Sequence, residues 1–323
     1  MKFPKLAVLG NPPYQTPYAG NSNSLKPIYH LFMECVIDSL NPDYFTFITP
    51  SRWMVGGKGL SKFRIRMMND HRISKIVHFE GERTIFPSVL VAGGVSYFLW
   101  EKCYDGPCEF VNGHTVSTRF LNEHDIVLQD NNAFGILDKV KNKADDWMRD
   151  KVCSREPFGL ATNFAYFTKS GVKCICKEKV YKFVSPTSFT DNRKVLNKWK
   201  VCIPVGAGRH QIPDVHGAKM VMMNIFIVEP GAICTGTYLV VNAFDSKKEA
   251  EFFVSYMKTK FFRFLTGLRL VKNASKKVFT WVPDVEDYSD TWTDKELYDM
   301  FGLTQQEQSY IESKIKELNG KNS

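Results

Sequence analysis

No apolar run in this 323-residue chain is long enough to cross a bilayer, which excludes a helical membrane protein. Met1 to Gly10 lacks the charged region, apolar core and cleavage site of a secretory leader. Paired cysteines are also missing. The eight cysteines, Cys35, Cys103, Cys108, Cys153, Cys174, Cys176, Cys202 and Cys234, sit mostly in apolar or strand-like stretches. Only Cys174 and Cys176 are close, and no further ligands flank them, so a zinc site and a disulfide framework are both set aside. The expectation is a reduced, cytoplasmic protein that holds no metal. The acidic residues do not gather with lysine at a metal-binding spacing, so no nuclease constellation is present. There is no internal repeat and no low-complexity tract.

Acid is in short supply overall. Against 43 Lys and Arg stand 34 Asp and Glu, for a formal net charge of +9. Such an excess points to a polyanionic partner, because basic side chains gain affinity by neutralising phosphates and releasing counterions. Many basic proteins never meet nucleic acid, so the charge alone does not name the partner. With 44% hydrophobic residues the chain can bury two modest cores, and two domains are expected.

The first segment, Leu6 to Leu9, is a short apolar strand that runs into Gly10-Asn11-Pro12-Pro13-Tyr14. Two prolines forbid ladder hydrogen bonds, so the strand ends there. Gln15 to Lys26, rich in Gly, Ser and Asn, reads as a mobile loop. Pro27 then opens a helix with Ile28, Leu31, Phe32, Cys35, Val36 and Leu40 at helical spacing. Tyr44 to Thr49 is a strand, followed by Pro50-Ser51-Arg52-Trp53-Met54, a loop at Gly56-Gly57-Lys58-Gly59 and a basic amphipathic helix through Phe63, Ile65 and Met68. Ile73 to Phe79 and Val95 to Trp100 are further strands. Alternating strands and helices predict an α/β sheet with crossover helices. Asp130 to Arg155 is charged and helical and reads as a linker. Beyond it, strands at Lys179 to Val184, Trp199 to Ile203, Lys219 to Val228 and Thr237 to Asn242 precede helices at Lys248 to Leu265, Thr293 to Met300 and Gln305 to Leu318. That is an α+β domain. The expected boundaries are 1–130, a helical linker over 131–157, and 158–323.

Asn11-Pro12-Pro13-Tyr14 lies at the carboxyl edge of a strand, where ligands of α/β sheets bind. Its chemistry suits methylation of an exocyclic amino group, whose lone pair is delocalised into the ring. Two acceptors aimed at the amino hydrogens would pull the nitrogen toward tetrahedral geometry and point its lone pair at a methyl donor. The side-chain oxygen of Asn11 and the carbonyl of Pro12 can supply them. Tyr14 offers a flat face to a base that has left the duplex. The plainer reading is a rigid strand-ending turn with a buried tyrosine.

The segments GNPPYQ at Gly10 to Gln15, FITPSRWMVGGKGL at Phe47 to Leu60, IFPSVLVAGGVSYFLW at Ile85 to Trp100 and WTDKELYDMFGLTQQEQSYIE at Trp292 to Glu312 together resemble the adenine-N6 DNA methyltransferases of restriction–modification systems. The motif order is that of the branch running from cofactor region through catalytic region to recognition domain. The resemblance implies a partial Rossmann-like methyltransferase sheet followed by an α+β target-recognition domain. It implies double-stranded DNA as the partner, with Asn11 and Pro12 holding the amino group, Pro13 completing the catalytic turn, Tyr14 stacking on the extruded adenine, and Phe86 from an FP turn packing on the base's other side. It also raises a set of basic residues as DNA contacts: Arg52 and Lys58 in the first half, and Arg209, Arg269, Lys272, Lys276 and Lys277 in the second, the last three beside Phe279 and Trp281. Each of these is otherwise a solvated surface charge.

The family binds S-adenosylmethionine through a glycine-rich turn and a following acidic residue, both upstream of the Asn-Pro-Pro-Tyr segment. Here only ten residues precede Asn11. Val205-Gly206-Ala207-Gly208 is a poor substitute, because Arg209 and His210 follow where small residues are needed. The expectation is an incomplete cofactor site, with three readings: a second polypeptide supplies the missing half, the chain is a truncated remnant, or it binds DNA without methylating it, as a specificity subunit does. A methyltransferase acting on guanine in RNA or on a glutamine side chain uses the same four residues, but the closing segment argues against it.

Overall fold

A computed structural model describes residues 5–18, 21–80, 85, 91, 93–206, 214, 217–222, 224–271 and 273–318. The chain divides into two compact units, Met1–Phe134 and Gly135–Ser323.

The first unit begins with β1 (Ala7–Gly10), β2 (Gln15–Tyr18) and β3 (Asn21–Pro27). Helix α1 (Tyr29–Cys35) then runs on as a π-helical turn over Val36–Leu40. Next come β4 (Tyr44–Pro50), α2 (Arg52–Val55), α3 (Ser61–Met68), β5 (Ile73–Phe79), β6 (Val95–Glu101), β7 (Cys108–Asn112) and β8 (Thr115–Arg119). Six of these strands form a mixed sheet in the order β1-β4-β6-β5-β7-β8. The pairs β1/β4 and β5/β7 are parallel, and the others antiparallel.

The alternation along β4 explains its place. Phe45, Phe47 and Thr49 are buried while Tyr44, Thr46 and Ile48 lie half-buried, the two-residue period of a strand packed hardest on one face. Phe45, Trp53, Met33, Met67, Ile76, Trp100 and Phe110 form the core against that sheet.

Three expectations change here. The stretch 15–26 is the hairpin β2–β3, with Gln15 paired to Pro27 and Thr16 to Lys26, so the helix starts at Tyr29 after a strand that includes Pro27. Strand β6 inserts antiparallel between β4 and β5 rather than joining a parallel crossover series. The hairpin β7–β8, absent from the sequence reading, extends the sheet through a two-residue turn in which Gly113 takes φ +58°. Asn112 pairs with Thr115, so Gly113 is the first of the two central residues, the position at which a two-residue hairpin turn with one positive φ calls for glycine.

The fold is therefore a mixed α/β one. The remainder of the chain comprises α4 (Ala133–Lys143), α5 (Met148–Lys151), β9 (Val172–Ile175), β10 (Tyr181–Val184), β11 (Trp199–Pro204), β12 (Phe226–Val228), β13 (Ile233–Cys234), β14 (Tyr238–Phe244), α6 (Lys247–Lys258), α7 (Lys260–Gly267), α8 (Asp294–Phe301) and α9 (Gln305–Lys314). Two three-stranded sheets, β10-β9-β13 and β12-β11-β14, share a core that includes Phe158, Cys174, Ile233, Cys202 and Val240.

The segment expected as a linker is built into structure instead. Ile136, Leu137, Val140 and Met148 are fully buried. The amides of Met148 and Cys153 donate to the carbonyls of Val282 at 2.9 Å and Val240 at 3.0 Å. The single helix expected over Lys248 to Leu265 breaks at Thr259, whose backbone is extended and whose hydroxyl accepts from the Phe262 amide at 3.1 Å to cap α7. Of the strand expected over Lys219 to Val228, only Phe226–Val228 is a regular strand.

Candidate active site

Strand β1 delivers Asn11 to the carboxyl edge of the sheet. Its register with β4 sets Gly10 opposite Phe47, and a Cβ on Gly10 would lie 2.8 Å from the Phe47 ring. Only glycine lets the backbone pass this close to the phenyl ring, so the residue before Asn11 is dictated by packing. The turn then divides its residues by burial: Asn11 and Pro13 are exposed, Pro12 is buried, and Tyr14 is half-buried. Pro12 anchors the turn while Asn11 presents its amide to solvent. The Asn11 side chain makes no hydrogen bond to the described residues, so both of its polar atoms are available.

Tyr14 is held from behind. Its carbonyl accepts from the Ile28 amide at 3.1 Å, which ties the end of the turn to the start of α1. Its hydroxyl is buried without a hydrogen-bond partner, and burial pushes the phenol above its ordinary value. The phenol therefore keeps its proton across the neutral range.

Arg52 opens α2 immediately after β4. The residue before it is fixed from two sides: the Ser51 amide donates to the Gly94 carbonyl and its hydroxyl bonds the Nδ1 of the buried His78, both at 2.9 Å. Gly94 has φ +80°, and a Cβ there would lie 2.3 Å from the Phe79 carbonyl oxygen, so this corner also requires glycine. Arg52 is half-buried, with its Nε buried and unpartnered. Lys58 is exposed, sits at φ +50° between glycines, and donates to the Leu25 carbonyl at 2.7 Å, which fastens the glycine-bearing loop to the β2–β3 hairpin.

The basic residues of the second unit separate. Arg269, expected as a DNA contact, is buried instead. Its guanidinium lies 4.4 Å from the centre of the Trp281 ring, and its Nε donates to the Lys277 carbonyl at 2.9 Å. It holds the Lys276–Phe279 turn in place and shows little surface to a ligand. Lys276 and Lys277 are exposed on that turn. Phe86, Arg209 and Lys272 lie outside the described residues.

The sequence reading missed the company that Arg52 keeps. The Tyr29 phenol acts on the Arg52 charge and faces the Trp53 backbone, while the Nε1 of Trp53, next to Arg52 in the chain, and the Nδ1 of His30, next to Tyr29, are buried without hydrogen-bond partners among the described residues. No periodicity flags such a set, because each residue also fills an ordinary apolar position.

Residues 6–86 match the family model of the Eco57I restriction-modification methylases. Over 109 residues the chain is 33% identical to an uncharacterized adenine-specific methylase of Mycoplasma pneumoniae, an overlap of 33% of this chain and 25% of the relative. The chain thus spans about a quarter of that relative's length. Among solved structures, it is similar to the methyltransferase subunit of a type I restriction-modification system from Streptococcus thermophilus, with TM-score 0.25, 14% identity, and coverage of 33% and 25% of the two chains. It is also similar to the type IIG restriction endonuclease BpuSI, with TM-score 0.32, 11% identity, and coverage of 80% and 42%.

Proposed function

We propose that this chain is the base-gripping and DNA-reading portion of a site-specific adenine-N6 DNA methyltransferase of a restriction–modification system. The observation that carries the reading is Asn11, an exposed amide free of internal hydrogen bonds on a turn braced by Pro12 and Gly10. The match over residues 6–86 contains this turn and supports it.

In this reading the Asn11 side-chain oxygen and the Pro12 carbonyl accept the two amino hydrogens of an extruded adenine. Taking both hydrogens weakens the delocalisation of the nitrogen lone pair and directs it away from the ring plane, without a strong base. Tyr14 stacks on the ring, and Phe86 closes on its other side. Lys276 and Lys277 contribute phosphate contacts from the second unit.

The cofactor implied is S-adenosylmethionine, the methyl donor of the family. The residues described here do not form its site: β1, which leads into the turn, has β4 on one side and no described strand on the other. The same bare edge supports the reading that further polypeptide completes the sheet. Leu9 is 74% and Leu6 is 47% exposed, unusual for a strand in a parallel pair, where both faces are normally covered.

The experiment is methyl transfer from labelled S-adenosylmethionine to mixed-sequence DNA, run with the chain alone and with a cofactor-binding half of a related enzyme supplied as a separate polypeptide. Label in adenine N6 when both are present is the expected result. Salt-dependent DNA binding without label under either condition would instead favour a non-catalytic specificity subunit.

Replacing Tyr14 separates the roles of its parts. Tyr14→Phe is expected to leave base binding unchanged, since the hydroxyl makes no hydrogen bond. Tyr14→Ala loses a stacking contribution of about 1–3 kcal/mol, read as weaker binding of an adenine-containing oligonucleotide.

A further inference from the structure

Between Asp43 and Asp70 the chain carries Arg52, Lys58, Lys62, Arg64 and Arg66 and no acidic residue at all. Arg66 is matched by Asp38, and Arg64 donates to the Val55 carbonyl at 3.1 Å. Arg52 is in a different position. Its side chain makes no hydrogen bond to the described residues, and of its nitrogens only Nε is both buried and unpartnered, which leaves the terminal pair in reach of solvent. The group that acts on its charge is the phenol of Tyr29, and burial lowers the guanidinium below its ordinary value.

Donors lie beside this cation. Its own Nε can only donate, as can the Nε1 of Trp53, the next residue along the chain, and the hydroxyl of Tyr29, whose oxygen faces the Trp53 backbone, keeps its proton free. A buried, unsatisfied polar group costs about 1–3 kcal/mol, and such donors favour a ligand made of acceptors. An oxyanion meets that description, and a guanidinium is the side chain best suited to hold one in two parallel hydrogen bonds.

Position supplies the identity of the oxyanion. Asn11 follows the last residue of β1, and Arg52 opens α2 just past the end of β4, so both segments leave the sheet at carboxyl ends of strands. The strands bearing the two segments are parallel neighbours, with Gly10 level with Phe47. We propose that Arg52, backed by Tyr29, receives the phosphodiester flanking the adenine held at Asn11 and Tyr14. The proposal rests on the adenine reading for the base and adds the group that keeps the extruded nucleotide from swinging back. The carboxylate of a methionine moiety has similar chemistry, and the test separates it.

The probe is a DNA trinucleotide with a central adenine, bound to the full chain and measured by fluorescence anisotropy. It is compared with the same trinucleotide carrying neutral methylphosphonate linkages and with one that is abasic at the centre. The methylphosphonate is expected to bind wild type about tenfold more weakly. Arg52→Gln is expected to lose about tenfold on the phosphodiester and nothing further on the methylphosphonate, with Arg52→Lys in between. Equal losses on both linkages, or none, would overturn the phosphate assignment. So would an Arg52→Gln loss confined to binding of free methionine. If adenine and abasic probes bind alike while the Arg52 contrast persists, the anion site stands and the adenine reading falls. The reverse pattern removes the anion site alone, and failure of wild type to bind any probe overturns both. The methylphosphonate arm uses unaltered protein, so a folding defect in a variant does not blur the outcome.

Discussion

Asn11→Ala is expected to lower methyl transfer at least about a hundredfold, the effect of removing one preorganised hydrogen-bonding group from a site where charge is redistributed. The assay is single-turnover transfer to DNA with the cofactor-binding half supplied. The loss should fall chiefly on the chemical step, and DNA affinity should drop only by the wild type's preference for adenine over purine, because an exposed amide on a proline-braced turn adds little to phosphate contacts. The melting temperature should also hold, since the side chain is exposed and makes no hydrogen bond to the described residues. A second measurement sharpens the point. Wild type should prefer an oligonucleotide with adenine to one with purine, which lacks the amino group, and the variant should bind both alike. An Asn11→Ala protein that transfers methyl at the wild-type rate would remove the turn from the mechanism.

Lys200→Met should cost about 2–4 kcal/mol of stability, measured by urea unfolding. Lys200 sits on β11 and is fully buried. The three N–H groups of its ammonium are shared among four carbonyls, those of Leu196 at 2.9 Å, Lys198 at 2.7 Å, Glu229 at 3.0 Å and, more weakly, Val195 at 3.3 Å. It gathers the approach to β11 and the turn after β12 around one positive charge. Methionine matches the length of the side chain and leaves four acceptors without their donor.

The same group sets a pH signature. Burial lowers the Lys200 ammonium to about 8, below the ordinary 10.5. Between those values the unfolded chain binds the extra proton, so this residue's contribution to stability grows as pH rises from 8. The buried thiols act in the opposite sense. Cys108 is pushed up to about 12, and Cys153, Cys174, Cys176 and Cys234 are also raised by burial or by neighbouring thiols. Above the ordinary thiol value of 9.0 the unfolded chain gives up protons that the folded chain keeps, and stability falls. Wild type should hold or gain stability up to about pH 9 and then lose it. The variant offers a direct comparison: Lys200→Met lacks the early gain and starts to decline sooner.

The residues that would do the chemistry were legible because they are contiguous. Asn11, Pro12, Pro13 and Tyr14 follow an apolar strand, and two prolines end that strand wherever it folds. Pairing partners were harder to see. Gln15 to Lys26 has a loop's composition, and what makes it a hairpin is the match of its two ends across space. In α4, Asp138, Lys139, Lys141 and Lys143 mask Ile136, Leu137 and Val140, which a charge count does not reveal. Arg269 reads as a surface charge until Trp281 is found beneath it. Arg52 drew attention for its charge alone, whereas its interest lies in the missing counterion and in the unpaired donors around it, neither of which a linear pattern records.

The bare side of β1 has a bearing on how the protein must be handled. Its four residues are Ala7, Val8, Leu9 and Gly10, with no lysine, proline or bulge among them to discourage an unwanted neighbour. In a parallel ladder alternate residues address the same side, and with the Leu6 carbonyl taken by Tyr44, the amides and carbonyls of Ala7 and Leu9 face outward. Among the described residues nothing in so plain a strand tells one neighbour from another, a second copy of the chain included. Self-association through this edge should therefore rise with protein concentration, as sedimentation velocity would record.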